Sequence, residues 1–146
     1  MARSKEILIY SRYLRRADIS SHSTFETKDS LITPEFSVDA TSNSEVRIMG
    51  RFDHLSANAS SRSNLYLSGY ATYLNANVNS AADMFAYELT AKTADVVASS
   101  AADARVRVSD EARFNASSAA DIIYKGEPKI LDSRSSSLGD VKKSKY

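Results

Sequence analysis

The acidic residues of this chain fall into a register that invites chemistry. Glu45, Asn64, Asp83, Asp103, Asp121 and Asp140 follow one another at steps of 19, 19, 20, 18 and 19 residues. Carboxylates brought to one corner of successive structural repeats would stand about 5 Å apart, close enough to hold Ca²⁺ or to raise one another's pKa. Against calcium stand Asn64 in the same series and the missing Gly-rich nonapeptide of calcium-binding β-rolls. These acids therefore read first as corner residues whose carboxylates accept backbone N–H groups, as Asx turns do. No metal and no cofactor is expected.

A second series lies two residues past each marker: Arg47, Tyr66, Phe85, Arg105, Ile123 and Lys142. Four residues past the markers run Met49, Ser68, Tyr87, Arg107 and Lys125. On alternating strands both series point outward, and aromatics rimmed by arginine are hot-spot chemistry for protein interfaces, suited also to stacking on sugar rings. Arg47, Tyr66, Phe85, Tyr87 and Arg105 are the expected partner-contact face. A further outward series, Asp39, Asn58, Asn77 and Asn115 with Val97 interrupting it, is expected to bond amide to amide along the array. Asn58-Ala59-Ser60 and Asn115-Ala116-Ser117 match the glycosylation sequon but fall on expected strands.

Signatures of catalysis are missing. The two histidines, His22 and His54, have no partner at metal-ligand spacing and read as exposed loop residues. The four glycines are scattered, so there is neither a phosphate-cradling loop nor a Gly-x-Ser-x-Gly elbow. A carbohydrate-cleaving β-helix would need long loops walling a groove, and repeats of 18 to 20 residues leave little length for them.

What must position these residues is a repeat. Ser80-Ala81-Ala82-Asp83, Ser100-Ala101-Ala102-Asp103 and Ser118-Ala119-Ala120-Asp121 are one tetrapeptide at spacings of 20 and 18. Ahead of each marker lie alternating apolar sets, such as Phe36, Val38 and Ala40, or Leu74, Ala76 and Val78. After it the alternation resumes, with Val46 and Ile48, Leu65 and Leu67, Ile122 and Tyr124. Period two means strands with one buried face. Helical periodicity at i, i+3, i+4 and i+7 does not hold between the markers. The expected fold is all-β: a parallel β-solenoid over residues 36–146, with about six coils of 18–20 residues. Residues 1–35 form an irregular N-terminal cap, with a strand over Ile7–Leu14, loops at Asp29 and Pro34, and a looser coil through Ser23, Thr24 and Phe25.

Composition agrees. Ser and Ala make up nearly a third of the 146 residues, whereas Gly is 4 and Pro 2, which excludes linker and collagen readings. Narrow coils admit only small side chains near a corner, so a large residue at Ala102 or Ala120 should overpack it. Nineteen Lys and Arg against eighteen Asp and Glu leave a net charge of +1, which argues against nucleic acid or an anionic bilayer as partner. No apolar run is long enough to span a membrane, and Ile7 to Tyr10 is too short for a signal-peptide core. Cysteine is absent, so disulfides and thiolate chemistry are excluded. Lys142, Lys143 and Lys145 put charge on the terminal strand edge.

The corners and closing segment resemble the head GIN domain family of auto-transporter adhesins, exported proteins of Bacteroidetes-like bacteria. Ser117-Ser118-Ala119-Ala120-Asp121-Ile122-Ile123-Tyr124-Lys125-Gly126-Glu127-Pro128 is similar to that family's Ser/Gly-rich corner and its Tyr-x-Gly-x-Pro closure. Ser135-Ser136-Ser137-Leu138-Gly139-Asp140-Val141-Lys142-Lys143 is similar to its last coil. The chain departs from the pattern in carrying Ala81, Ala82, Ala101 and Ala102 where the family has glycine, and alanine takes positive φ less freely. The resemblance, over residues 36–146, implies a β-solenoid in the cell envelope or outside the cell, with no catalytic motif to transfer.

The functional expectation is a non-enzymatic recognition module that meets a protein or glycan partner, or further copies of itself, along a rigid face. The alternative is a self-assembling scaffold similar to the bactofilins; the charged last coil weighs against it. A β-helix carbohydrate-active enzyme comes third.

Overall fold

In a computed structural model, which describes residues 14–27 and 30–144, the chain is built of strands β1 (Arg16–Ile19), β2 (Thr24–Glu26), β3 (Leu31–Ala40), β4 (Glu45–Ala59) and β5 (Asn64–Val78), followed by β6 (Asp83–Ala98), β7 (Asp103–Ala116), β8 (Asp121–Lys125), β9 (Ile130–Ser135) and β10 (Asp140–Lys143). Every pairing between them is parallel, and each strand pairs with the segment about one repeat later: Glu45 lies beside Asn64, Asn64 beside Asp83, Asp83 beside Asp103, Asp103 beside Asp121 and Asp121 beside Asp140. This is the expected β-solenoid. Parallel register reaches back to Arg16, beside Ser37, and to Thr24, beside Glu45. The strand expected from Ile7, the loop at Asp29 and the lysine at 145 fall at residues outside the described ones.

Seven corners, rather than six, turn the described chain. The added one is at Ser21-His22, ahead of the looser coil through Phe25, and it escapes the repeat because Thr24 stands 21 residues before Glu45. At each corner two consecutive residues take positive φ, between 49° and 69°, from Ser21-His22 to Ser137-Leu138. At the Ser80-Ala81 corner the Ala82 N–H returns to the Asn79 carbonyl at 3.1 Å, which is the bond of a tight two-residue turn. Here Ala81, Ala101 and Ala119 adopt φ of 62–63° without glycine. The left-handed strain is offset by stacking, since the Ala81 N–H donates to Ser100 in the next coil and the Ala101 N–H to Ser118.

The core is a set of columns. Val46, Leu65, Met84, Ala104 and Ile122 stack as one, and Phe36, Leu55, Leu74, Ala94 and Ala112 as another, all buried. Beside the corner only small groups fit: Ala82, Ala102 and Ala120 are fully buried, and Ser44 and Ser63 occupy the same place in earlier coils. The Ser63 hydroxyl lies 2.7 Å from the Ala40 carbonyl and 2.6 Å from that of Ser60, so its polarity is satisfied inside the corner. A second bend follows Phe52, where Asp53 and His54 are both exposed before Leu55 turns inward again. His54 is thus a strand residue in β4 rather than a loop residue. At about 4.8 Å per coil the seven coils make a rod roughly 30 Å long.

Candidate functional site

The outward series after the markers forms a continuous column: Glu26, Arg47, Tyr66, Phe85, Arg105, Ile123 and Lys142 are cross-strand neighbours in that order. Alternation places Leu65 and Leu67 in the core and leaves Tyr66 between them facing out, half-buried by its neighbours. Tyr66 and Phe85 stack with ring centroids 4.9 Å apart and planes 14° from parallel. The Arg47 guanidinium lies 4.1 Å from the centre of the Tyr66 ring, and the Arg105 guanidinium 5.1 Å from that of Phe85. The result is a four-membered ladder, cation–ring–ring–cation, along the rod. Arg47 is further held by Glu45 at 3.0 Å within its own strand.

This geometry changes what the rings can do. An aromatic face binds cations or sugar rings, but the inner faces of Tyr66 and Phe85 are spent on each other and the outer faces on Arg47 and Arg105. What meets solvent is the positive edge of each ring and the N–H fringe of the guanidiniums. The site is suited to carboxylates and to other side chains packed edge-on, rather than to the stacking on sugar rings expected from composition.

Tyr87 departs from its expected place. It does not stand beside Ser68, because the register of β5 and β6 shifts between Tyr66 and Ser68, and Ser68 pairs with Glu88. The 20-residue step from Asp83 to Asp103 carries one residue more than the coil before it, and the strand absorbs the excess as a bulge around Tyr87. Tyr87 remains at the face, with the Lys125 ammonium 4.3 Å from its ring centre. Tyr87, Thr27 and Met49, which is 42% exposed, line an open groove of about 480 Å³ alongside the ladder. Lys125, expected in the outward series four residues past the markers, meets Tyr87 here, and Glu26 joins the face although the marker series does not reach it. The 21-residue first step hides Glu26 from the repeat.

The acid column lies two residues away on the same face. Its carboxylates do not cap the corner N–H groups, which go to backbone carbonyls: Ala82 to Asn79, Asp83 to Ser63, Asp103 to Ala82. The acids face one another instead. Asp103, between Asp83 and Asp121, is held above the usual carboxylate range, first by burial and then by those two charges, with Arg105 opposing. Among the described residues no group of three His, Cys, Asp or Glu is placed to hold a metal ion. On the other outward face Asp39, Asn58, Asn77, Val97 and Asn115 do form a column. The expected amide ladder along it is not made: the bond at Asn77 comes from Asn79 in the same coil, at 3.4 Å.

The all-parallel, in-register pairing defines the class of protein as a β-solenoid. The chain belongs to the family described as "putative auto-transporter adhesin, head GIN domain", whose model matches residues 1–128. The match takes in the N-terminal segment and the Tyr124–Pro128 closure, and it stops short of the last coil. Among solved structures the chain is similar to a "putative adhesin" from Bacteroides fragilis, with a TM-score of 0.73 and 16% identity over 83% of this chain and 56% of that one. The chain thus spans little more than half the length of that structure, and at this identity the likeness is one of fold. No match is found among the curated proteins. Both descriptions are of adhesins and neither is of an enzyme.

Proposed function

We propose that this domain is a non-enzymatic recognition module of the cell envelope or cell surface, which makes adhesive contact through the face built on Arg47, Tyr66, Phe85, Tyr87 and Arg105. The observation that carries the reading is the ladder itself. Four side chains from four coils are locked into one plane of contacts on the outside of a rigid rod, where they stabilise no core. Pre-ordered aromatic and arginine side chains lose little entropy on binding, which is why such residues dominate contact hot spots. The setting follows from the family description, which is of auto-transporter adhesins. Scaffold assembly end to end is disfavoured by the charge on the last coil, where Asp132, Arg134, Asp140, Lys142 and Lys143 are all exposed.

The test of the setting is protease added to intact cells that carry an epitope within residues 36–146 of the full-length native protein. Loss of the epitope before lysis is the expected result. Its persistence on intact cells, with cleavage in the lysate, would exclude display on the outer surface, and recovery in the cytoplasmic rather than the periplasmic fraction would then overturn the envelope setting.

A further inference from the structure

We propose that the partner of the ladder face is a second copy of this chain, laid face to face with its rod parallel to the first about a two-fold axis along the rod. The inference rests on the contact-face reading above and names its occupant. It comes from the order of charges across the face. Each coil presents a marker and, about 6.6 Å further along the strand, a ladder residue. The pairs are Glu45 and Arg47, Asn64 and Tyr66, Asp83 and Phe85, Asp103 and Arg105, Asp121 and Ile123, Asp140 and Lys142. One column holds acids and an amide; the other holds cations and apolar groups.

A two-fold axis along the rod keeps every residue at its own height and exchanges the two columns. Arg47 then meets Glu45 of the second copy, Arg105 meets its Asp103, and Lys142 meets its Asp140. Tyr66 meets Asn64, whose amide can bond to the phenol. Asp83 meets the edge of Phe85, the positive part of a ring whose faces are already occupied. Opposite charges meet at three heights and like charges at none. Other arrangements fail this count. An axis along the strands, with the rods antiparallel, sets the acid column against itself. An axis lying over the ladder column sets Arg47 on Arg47, Arg105 on Arg105 and Lys142 on Lys142. Like charges in contact suppress a pairing and opposite charges fix its register, so one arrangement is selected. It also brings a second arginine to Asp103, whose carboxyl in the single chain is pushed up by burial and by Asp83 and Asp121.

The face is about five residues wide and six coils tall, roughly 16 by 29 Å, so each copy would bury on the order of 450 Å². That is below the size of a stable dimer and right for a weak contact that gains strength when many copies are displayed together.

Sedimentation velocity on the full chain tests this with two charge variants, Arg47→Glu/Arg105→Glu and Glu45→Arg/Asp103→Arg, checked for folding by circular dichroism. The wild type should associate in a concentration-dependent way that weakens with added salt. Each variant alone should associate at least about tenfold more weakly, and an equimolar mixture of the two should recover the association. A wild type that stays monomeric to roughly millimolar concentration, association indifferent to salt, or a mixture no stronger than its parts overturns the proposal. If the purified chain stays monomeric while cells displaying it attach to a foreign surface through Tyr66 and Phe85, the second copy is wrong and the contact face stands. If neither occurs, both are wrong.

Discussion

Tyr66 and Phe85 sit one coil apart with ring centroids 4.9 Å from each other and planes only 14° from parallel, and each carries a guanidinium on its remaining face. In-register parallel pairing produces this arrangement directly. Residues that align at one height of the repeat are brought within about 5 Å, so a column of aromatic residues must stack. The ladder is therefore a product of the register rather than of any loop.

Removing one ring should cost the fold little, because neither ring is in the core. Tyr66→Ala and Phe85→Ala should each lower stability by about 0.5–2 kcal/mol, with a coupling of about 0.5–1.5 kcal/mol in the double-mutant cycle. Urea denaturation monitored by circular dichroism measures both. A loss above about 3 kcal/mol for either single change would mean that the ring serves as core.

Adjacent alanines at one corner should respond in opposite directions. Ala101 sits at φ 62°, so Ala101→Gly relieves left-handed strain and should stabilise by about 0.5–1 kcal/mol. Ala102 is fully buried beside it, and Ala102→Leu should destabilise by about 1–3 kcal/mol through overpacking. Thermal and urea midpoints of the two variants check the contrast.

Glycine is required at the Gly69 bend. Its φ is 110°, and a Cβ there would lie 1.9 Å from the Gly50 carbonyl oxygen of the preceding coil. Gly69→Ala should cost about 1–3 kcal/mol or more, since the atom it strikes is backbone and cannot rotate away. Ser68→Ala at the neighbouring half-buried position, which removes only a long 3.4 Å bond from the hydroxyl to the Ile48 carbonyl, gives the control and should cost less than about 1 kcal/mol in the same denaturation assay.

The acid column predicts a pH dependence with a definite sign. The Asp103 carboxyl titrates higher in the folded chain than its ordinary 3.8, mainly through burial and then through Asp83 and Asp121. In the interval between those two values the native state binds more protons than the unfolded state, so stability falls as pH rises through it and stays lower at neutral pH. Asp103→Asn should therefore be more stable than the parent at pH 7, by about 0.2–1 kcal/mol for a like-charge cross-strand column. The advantage should shrink as pH drops toward 3.8. Denaturation midpoints measured from pH 3.5 to 7 follow the difference.

The repeat of small corners and alternating apolar residues made the solenoid legible, because parallel in-register pairing turns sequence spacing into spatial neighbourhood without further information. Arg47, Tyr66, Phe85 and Arg105 could be placed in one column on that ground alone. Tyr87 could not, since a marker step of 20 shows that a residue is added but not where the strand bulges. The first corner, at Ser21-His22, was blurred by a step of 21. What the rings can bind was also out of reach of composition. Aromatics near arginines suggest sugar stacking until the distances show that both faces of each ring are already occupied.

The most direct test of the contact face is attachment by cells displaying the wild-type domain against cells displaying Tyr66→Ala/Phe85→Ala at equal surface density, scored both against like cells and against foreign surfaces. The predicted result is attachment by the wild type and its loss in the variant, with the variant folded by its protease resistance. Attachment by the variant equal to that of the wild type would contradict the assignment of function to this face.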